Sequence, residues 1–425
     1  MTRVLRSTTK KIQSKVDLSS KLSISKKAKT IKRTGKKAVE VKKKDNRQSN
    51  IWNINTLLSN IFAYTDHKDL VEFSTVCKKW NNITNPIIHK TIKLNRSWDI
   101  LNQVHDKRLK NHSKIGADVI ECISNNAKHA HLVKELNFDH SLKPQRAIEV
   151  FETFKFINKL TVESCEISQD QFIGMVSPLT QLQELTLCGL DIKRIIYKRL
   201  YKEAAQLPSS LNKLSLSVRL IDNPDLFIRT INSHRNLVEF RCSNSNYIFL
   251  EPFYKSYKNL LKFEYLNDQL QSPESLIKVF EQNQQLISLK LNLKFWSSEL
   301  TSYISSQLIN LEELSLTEYG YYYQDYTNIF LKFSQPTKIK KLNLEWLRMS
   351  NCSLDSILLN CPQLEELALN RINSCQQPNT EILINLCKSA KIKKLSIDFQ
   401  NLKGPILETL LSSCYHLNEL KWIPF

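Results

Sequence analysis

Between residues 133 and 422 the chain repeats one six-residue template, apolar-x-x-apolar-x-apolar, twelve times. The units are "VKELNF" (133), "INKLTV" (157), "LQELTL" (182), "LNKLSL" (211), "LVEFRC" (237), "LLKFEY" (260), "LISLKL" (286), "LEELSL" (311), "IKKLNL" (339), "LEELAL" (364), "IKKLSI" (392) and "LNELKW" (417). Successive starts differ by 23 to 29 residues. At that period no single unit can bury its apolar face, and stacked units build a continuous core. The alternating end of the template predicts one short strand per unit. "SPESLIKVFEQNQQ", "SLDSILLNCPQ", "NTEILINLCKSA" and "GPILETLLSSCYH" read as the returning amphipathic helices, several opened by Ser, Asn or Pro.

A second regularity sets the register. The residue before the central apolar position reads Glu135, Lys159, Glu184, Lys213, Glu239, Lys262, Ser288, Glu313, Lys341, Glu366, Lys394, Glu419. In a parallel stack these side chains lie on adjacent strands about 4.8 Å apart. Nine of the eleven neighbouring pairs are opposite in sign and none is alike. Each opposite pair is worth roughly 0.2–1 kcal/mol, and like pairs destabilise. The row is expected to be a structural charge ladder on the concave face of a continuous solenoid, rather than a ligand site.

Ahead of the repeats, residues 51–94 read as a compact helical block. "NTLLSNIFAY" puts Leu57, Leu58, Ile61 and Phe62 on one helical face. Asp66 and Asp69 open the next stretch with N-cap-like spacing. "FSTVCKKWNNI" then sets Phe73, Val76, Cys77, Trp80 and Ile83 at steps of three and four, a single apolar helical face. A third helix carries Cys77, Trp80 and Ile83, and Pro86 is expected to close the unit. Residues 95–130 are assigned to a helical linker or N-terminal cap, and 131–425 to the solenoid.

Charge is distributed unevenly. Residues 1–50 hold 17 Lys/Arg against three acids, a net of +14, and the other 375 residues carry 44 basic and 38 acidic side chains, a net of +6. Lys/Ser/Thr-rich and nearly without aromatics, the first fifty residues are expected to be a disordered basic tail. Its clusters Lys26-Lys27, Lys32-Arg33, Lys36-Lys37 and Lys42-Lys43-Lys44 suit a nuclear-localisation signal, a nucleic-acid-binding arm or a merely solubilising tail. The near-neutral remainder argues against a dedicated nucleic-acid binder. The start has no apolar core of signal-peptide length, and no apolar run approaches the roughly 18–20 residues that span a bilayer. An intracellular, non-membrane chain, nuclear or cytoplasmic, is expected.

Chemistry-bearing patterns are missing from the sequence. With six glycines it contains no phosphate-cradling G-x-x-x-x-G-K loop, no H-E-x-x-H, no G-x-S-x-G and no kinase signature. Its ten cysteines show no C-x-x-C pair and no zinc-ligand spacing. They are expected to be reduced and mostly buried. No catalytic residue, metal site or cofactor is assigned.

The stretch "NTLLSNIFAYTDHKDLVEFSTVCKKWNNI" resembles an F-box, through Leu57-Leu58, Ile61-Phe62, Tyr64, Asp69-Leu70 and Val76-Cys77-Lys78-x-Trp80. Followed by leucine-rich repeats, the chain from residue 51 is similar to F-box/leucine-rich-repeat proteins, and "INKLTVESCEI" matches the Cys-containing repeat variant found among them. The resemblance implies an α/β fold: a leucine-rich-repeat solenoid, with a curved parallel sheet and outer helices, preceded by a small three-helix F-box. It implies a non-catalytic substrate receptor of an SCF ubiquitin ligase. The F-box would dock on a Skp-family adaptor and through it a cullin, using Leu57, Leu58, Ile61, Phe62, Leu70, Val76, Cys77 and Trp80. The solenoid would hold an unknown protein substrate near the conjugating enzyme, and proximity would be its contribution. The alternative is a leucine-rich-repeat scaffold without a ligase role. For the substrate contact, aromatic residues cluster just after the strands of units seven to nine: Phe295 and Trp296, then Tyr319, Tyr321, Tyr322, Tyr323 and Tyr326, then Trp346. Tyr and Trp are enriched among binding hot spots; the alternative is that Trp296 and Trp346 fill the core of wide repeats and the tyrosines cover a long loop.

Overall fold

All twelve predicted strands are present in the computed structural model, and each begins at the third residue of its template. The structure describes residues 55–94 and 119–422, apart from 140–143, 195–200, 268–272, 293–295, 318–327, 330, 346–347, 350–355, 358, 371–390, 398–411 and 413–415. The strands are β1 (Thr91–Leu94), β2 (Glu135–Phe138), β3 (Lys159–Glu163), β4 (Glu166–Ser168), β5 (Glu184–Lys193), β6 (Lys213–Ile221), β7 (Glu239–Ser243) and β8 (Lys262–Leu266). There follow β9 (Ser288–Asn292), β10 (Glu313–Thr317), β11 (Asn328–Ile329), β12 (Lys341–Glu345), β13 (Arg348–Met349), β14 (Glu366–Asn370), β15 (Lys394–Ile397) and β16 (Glu419–Trp422).

Among the described residues these build one parallel sheet in chain order from β1 to β16, with β4 attached beside β5 and β11 and β13 forming a separate pair. The template explains the strands. Its second and third apolar positions, such as Leu185 and Leu187 or Leu314 and Leu316, point inward and are buried, while the residues between them stay accessible. The first apolar position (Val133, Ile157, Leu182) is also buried, two residues before the strand. Returning helices close the other face of the core: Pro144–Thr153, Gln169–Val176, Asp225–Ser233, Glu274–Gln282 and Ser298–Gln307. Two are capped by serine, Ser168 accepting from Gln171 N–H at 3.1 Å and Ser297 from Leu300 N–H at 3.0 Å. Between β7 and β8 the return is a 3-10 helix, Tyr247–Tyr254, in which Pro252 removes one backbone donor.

Ahead of the sheet stand α1 (Asn55–Ala63), α2 (His67–Val76) and α3 (Lys78–Ile88). Asp66 caps α2 by accepting from Asp69 N–H at 2.9 Å, as its spacing predicts. Four expectations need correction. The stretch 73–83 is not one helix: Cys77 is extended (φ −161°, ψ 162°), so Phe73 belongs to α2 and Trp80 to α3. Cys77 is the cap of α3, not part of it, its Sγ accepting from Trp80 N–H at 3.5 Å. Pro86 does not close the block but lies inside α3, whose end is closed by His89 N–H to Asn85 O at 3.0 Å. Ile87 and Ile88 pack on the block's own core, which favours continuing the helix past the proline.

The fourth correction concerns the join. The block assigned to 51–94 ends in a strand, because Thr91–Leu94 is the first rung of the sheet. Lys90 O accepts from both Lys134 N–H (2.8 Å) and Glu135 N–H (3.0 Å), and Lys90 Nζ pairs with Glu135 at 2.8 Å. The imidazoles of His89 and His129 stack at 3.9 Å. The helical block thus runs straight into the solenoid through a hydrogen-bonded rung. Of the expected linker 95–130, residues 119–126 are helical and Ala127–Leu132 is a 3-10 turn, and 95–118 lie outside the described residues.

Candidate protein-docking surfaces

The helical block separates its apolar residues into two sets. Leu58 and Phe62 (each 2% exposed) and Leu70 (5%) form its core, with Phe73, Trp80 and Ile83 packed around them. Phe62, Phe73 and Trp80 make an aromatic triad with ring centroids 5.2–5.5 Å apart, two of its contacts edge-on. The other set faces outward: Leu57 (36%), Ile61 (40%), Val71 (43%), Val76 (62%) and Tyr64 (93%). Leu57, Ile61 and Tyr64 follow one another at helical spacing along and just beyond α1. Cys77 is exposed beside Val76, at the corner between α2 and α3.

The concave face of the sheet carries the charge ladder. Every predicted neighbour pair is a register partner, from Glu135 beside Lys159 to Lys394 beside Glu419. Ion pairs run on both sides of Lys213 (Glu184 at 3.3 Å, Glu239 at 3.7 Å) and of Lys341 (Glu313 at 3.2 Å, Glu366 at 3.9 Å). Partial burial works against the Glu184 carboxylate, but hydrogen bonds from Lys159 and Lys213 hold it below the usual glutamate range. Glu313 is lowered in the same way by Lys341 and Ser288. A hydrogen bond from Lys90 does this for Glu135, and one to Glu184 raises Lys213. A groove of about 870 Å³ lies over the face, lined from Glu184 on β5 to Lys421 on β16.

Two consequences of the ladder can be measured. Lys341→Glu would set three glutamates on adjacent strands, replacing two attractions with two repulsions, and should cost about 1–3 kcal/mol, partly relieved by high salt. A urea titration at low and high salt measures both effects. Acid should also weaken the fold. The folded carboxyls of Glu135, Glu184 and Glu313 titrate below their unfolded value of 4.5, so their contribution is complete above that pH and is lost as pH falls below it.

The matched family enters at the helical block. Residues 55–91 match the F-box domain. No curated protein matches the chain. Among solved structures, the crystal structure of the Rad7 and Elc1 complex in yeast is similar at 16% identity, covering 84% of this chain and 86% of that one with a TM-score of 0.40. The TLR13–ssRNA13 complex is similar at 16% identity over 70% of this chain and 52% of that one, with a TM-score of 0.31.

Of the eight F-box residues expected at an adaptor interface, Leu57, Ile61, Val76 and Cys77 are accessible, and Trp80 is partly so. Leu58, Phe62 and Leu70 lie in the core of the F-box. Val71 joins the exposed set; it precedes the V-C-K-x-W stretch and carries no motif signal of its own. Of the expected substrate contacts, Trp296 is partly buried against the solenoid core, with its indole N–H enclosed. Tyr319, Tyr321, Tyr322, Tyr323, Tyr326 and Trp346 lie outside the described residues, as do Phe295 and the basic clusters Lys26-Lys27, Lys32-Arg33 and Lys36-Lys37. Among the described residues no group of three or more His, Cys, Asp or Glu could hold a metal ion, and no helix is long and apolar enough to cross a membrane. Cys165, Cys242 and Cys361 are buried, and burial pushes the Cys242 thiol up to about 12.

Proposed function

We propose that this chain is the substrate-recognition subunit of an SCF-type ubiquitin ligase. In this reading the F-box docks on a Skp-type adaptor, the adaptor links it to a cullin, and the solenoid holds the protein to be modified. The observation that carries the reading is the division of apolar residues in the F-box. Three suffice for its core, and Leu57, Ile61, Tyr64, Val71 and Val76 remain exposed on a block that matches a family whose members bind such adaptors. The hydrogen-bonded rung between α3 and β2 supports it further, since a stiff connection fixes where a bound target sits relative to the ligase. The basic tail is proposed as an import signal.

Ile61→Asp combined with Val76→Asp tests the docking. Burying one such side chain is worth roughly 1.5–3 kcal/mol, so the double variant should lose a co-expressed Skp-type adaptor while its melting temperature stays near the parent's. Retention of the adaptor by the folded variant overturns the assignment of this surface. Failure of the unmodified chain to bind any Skp-type adaptor favours a scaffold without a ligase role.

A further inference from the structure

Three consecutive rungs of the solenoid, β7 to β9, differ from the others in the row that enters the sheet. The second template position is polar in nine units, from Lys134 and Asn158 to Lys393 and Asn418, but is Val238, Leu261 and Ile287 in these three. All three side chains are partly exposed. They stand where the chain enters the sheet: Val238 O accepts from Leu261 N–H (2.9 Å) and Lys262 N–H (3.0 Å), and Leu261 O from Ile287 N–H (2.8 Å) and Ser288 N–H (3.1 Å). They therefore form a stripe along one edge, with a spacing of about 4.8 Å.

Charge changes on the same rungs. Ser288 interrupts the ladder, leaving Lys262 between Glu239 (3.5 Å) and a neutral neighbour. Two residues further along each strand, the row of Thr186 and Ser215 becomes Arg241, Glu264 and Lys290, where one glutamate serves both cations at 3.2 and 3.4 Å. Arg235 and Lys258, both exposed, stand three residues ahead of Val238 and Leu261. Arg235 is held by Pro252 O (3.2 Å) and lies over the Tyr257 ring, so on these three rungs Arg241, Lys258, Lys262 and Lys290 stand against Glu239 and Glu264, four basic groups to two acidic.

We propose that this edge docks an amphipathic helix of a partner protein whose flanks are acidic. The stripe sets the geometry. Three rungs span about 10 Å, and a helix with apolar residues at i, i+4 and i+7 also spans about 10 Å at 1.5 Å per residue, whereas an extended segment's i, i+2 and i+4 side chains spread over about 13 Å. A helix laid across the strands can seat one apolar side chain per rung. The basic excess selects glutamate or aspartate beside those residues and repels lysine. The proposal rests on the solenoid being the target-binding arm, and it places the target's docking segment on β7–β9.

The test uses the full chain and a fluorescein-labelled, alanine-based helical peptide with leucine at i, i+4 and i+7 and glutamate on both flanks. Three controls accompany it: lysine for glutamate, serine for leucine, and a central proline that breaks the helix. The acidic helix should bind, more weakly as salt rises, and each control should bind at least about tenfold more weakly. Val238→Ser with Leu261→Ser and Ile287→Ser should reduce binding about tenfold or more, as should Lys258→Glu with Lys262→Gln. If the triple variant does not fold, Leu261→Lys alone should give the same loss. Equal binding by the lysine or proline peptide, no binding of the acidic helix, or undiminished binding by these variants overturns the proposal. Adaptor co-purification is measured in parallel. A chain that binds the peptide but no adaptor keeps the docking edge and loses the ligase reading, and a chain that binds the adaptor but no peptide does the reverse.

Discussion

Phe62→Ala should unfold the F-box and release any adaptor, while Ile61→Asp, one residue away, should release the adaptor from a folded block. Phe62 is 2% exposed and touches both other rings of the aromatic triad, and Leu58 and Leu70 complete a core of three fully buried side chains. Truncating a buried phenylalanine costs about 3–5 kcal/mol. A block of three short helices has little stability to absorb that loss. Ile61 is 40% exposed, so an aspartate there stays in water and spares the core. Limited proteolysis distinguishes the two: cleavage between residues 55 and 88 should accelerate in Phe62→Ala and stay at the parent rate in Ile61→Asp. A protease-resistant Phe62→Ala would mean that the block draws its stability from the solenoid through β1.

The two substitutions also mark where sequence reading stops. Leu57, Leu58, Ile61 and Phe62 sit in one apolar run, and spacing puts them on one face. Which of them become core depends on the angle at which α2 and α3 arrive, and that angle is set at Cys77. The steps of three and four from Phe73 to Ile83 continue across this corner, because Phe73 and Trp80 converge on Phe62 from different helices. A helical period cannot distinguish a continuous helix from two helices meeting over a shared ring.

The solenoid was far more legible, because register and burial are written into the same six residues. Strand starts, inward leucines and all eleven register pairs of the ladder follow from the template alone. The first rung escaped because His89 occupies the leading apolar position of what is otherwise a unit, "HKTIKL", with Ile92 and Leu94 buried as in the others. In place of an aliphatic contact His89 stacks on His129, and burial, His129 first among its charged neighbours, holds it below the usual histidine range. The apolar stripe of Val238, Leu261 and Ile287 was equally present in the sequence. It falls on a position that the template leaves unspecified, so periodicity passes over it.

Asn283→Ala should be the most damaging single polar substitution in the repeats, costing about 3–5 kcal/mol. Asn283 is fully buried at the end of the helix Glu274–Gln282. Its amide donates to Phe253 O (3.0 Å) and Val279 O (2.7 Å), and its carbonyl oxygen accepts from Tyr257 N–H (3.0 Å). Two of those partners belong to the preceding repeat. Tyr257 in turn donates its hydroxyl to His234 O at 2.5 Å, and His234 Nε2 lies 2.7 Å from Leu211 O, so one polar chain joins successive repeats behind the sheet. Alanine would leave two carbonyls and an N–H enclosed without these bonds, at about 1–3 kcal/mol each. Asn283→Asp should not rescue it, because a carboxylate would face the same two carbonyls. Since a solenoid is held by nearest-neighbour contacts, the damage should be local. Hydrogen exchange should rise across residues 253–292 while the F-box keeps its protection. A loss below about 1 kcal/mol in urea titration would show that the aromatic contacts among Phe253, Phe263 and Phe280 hold these repeats together without the polar chain.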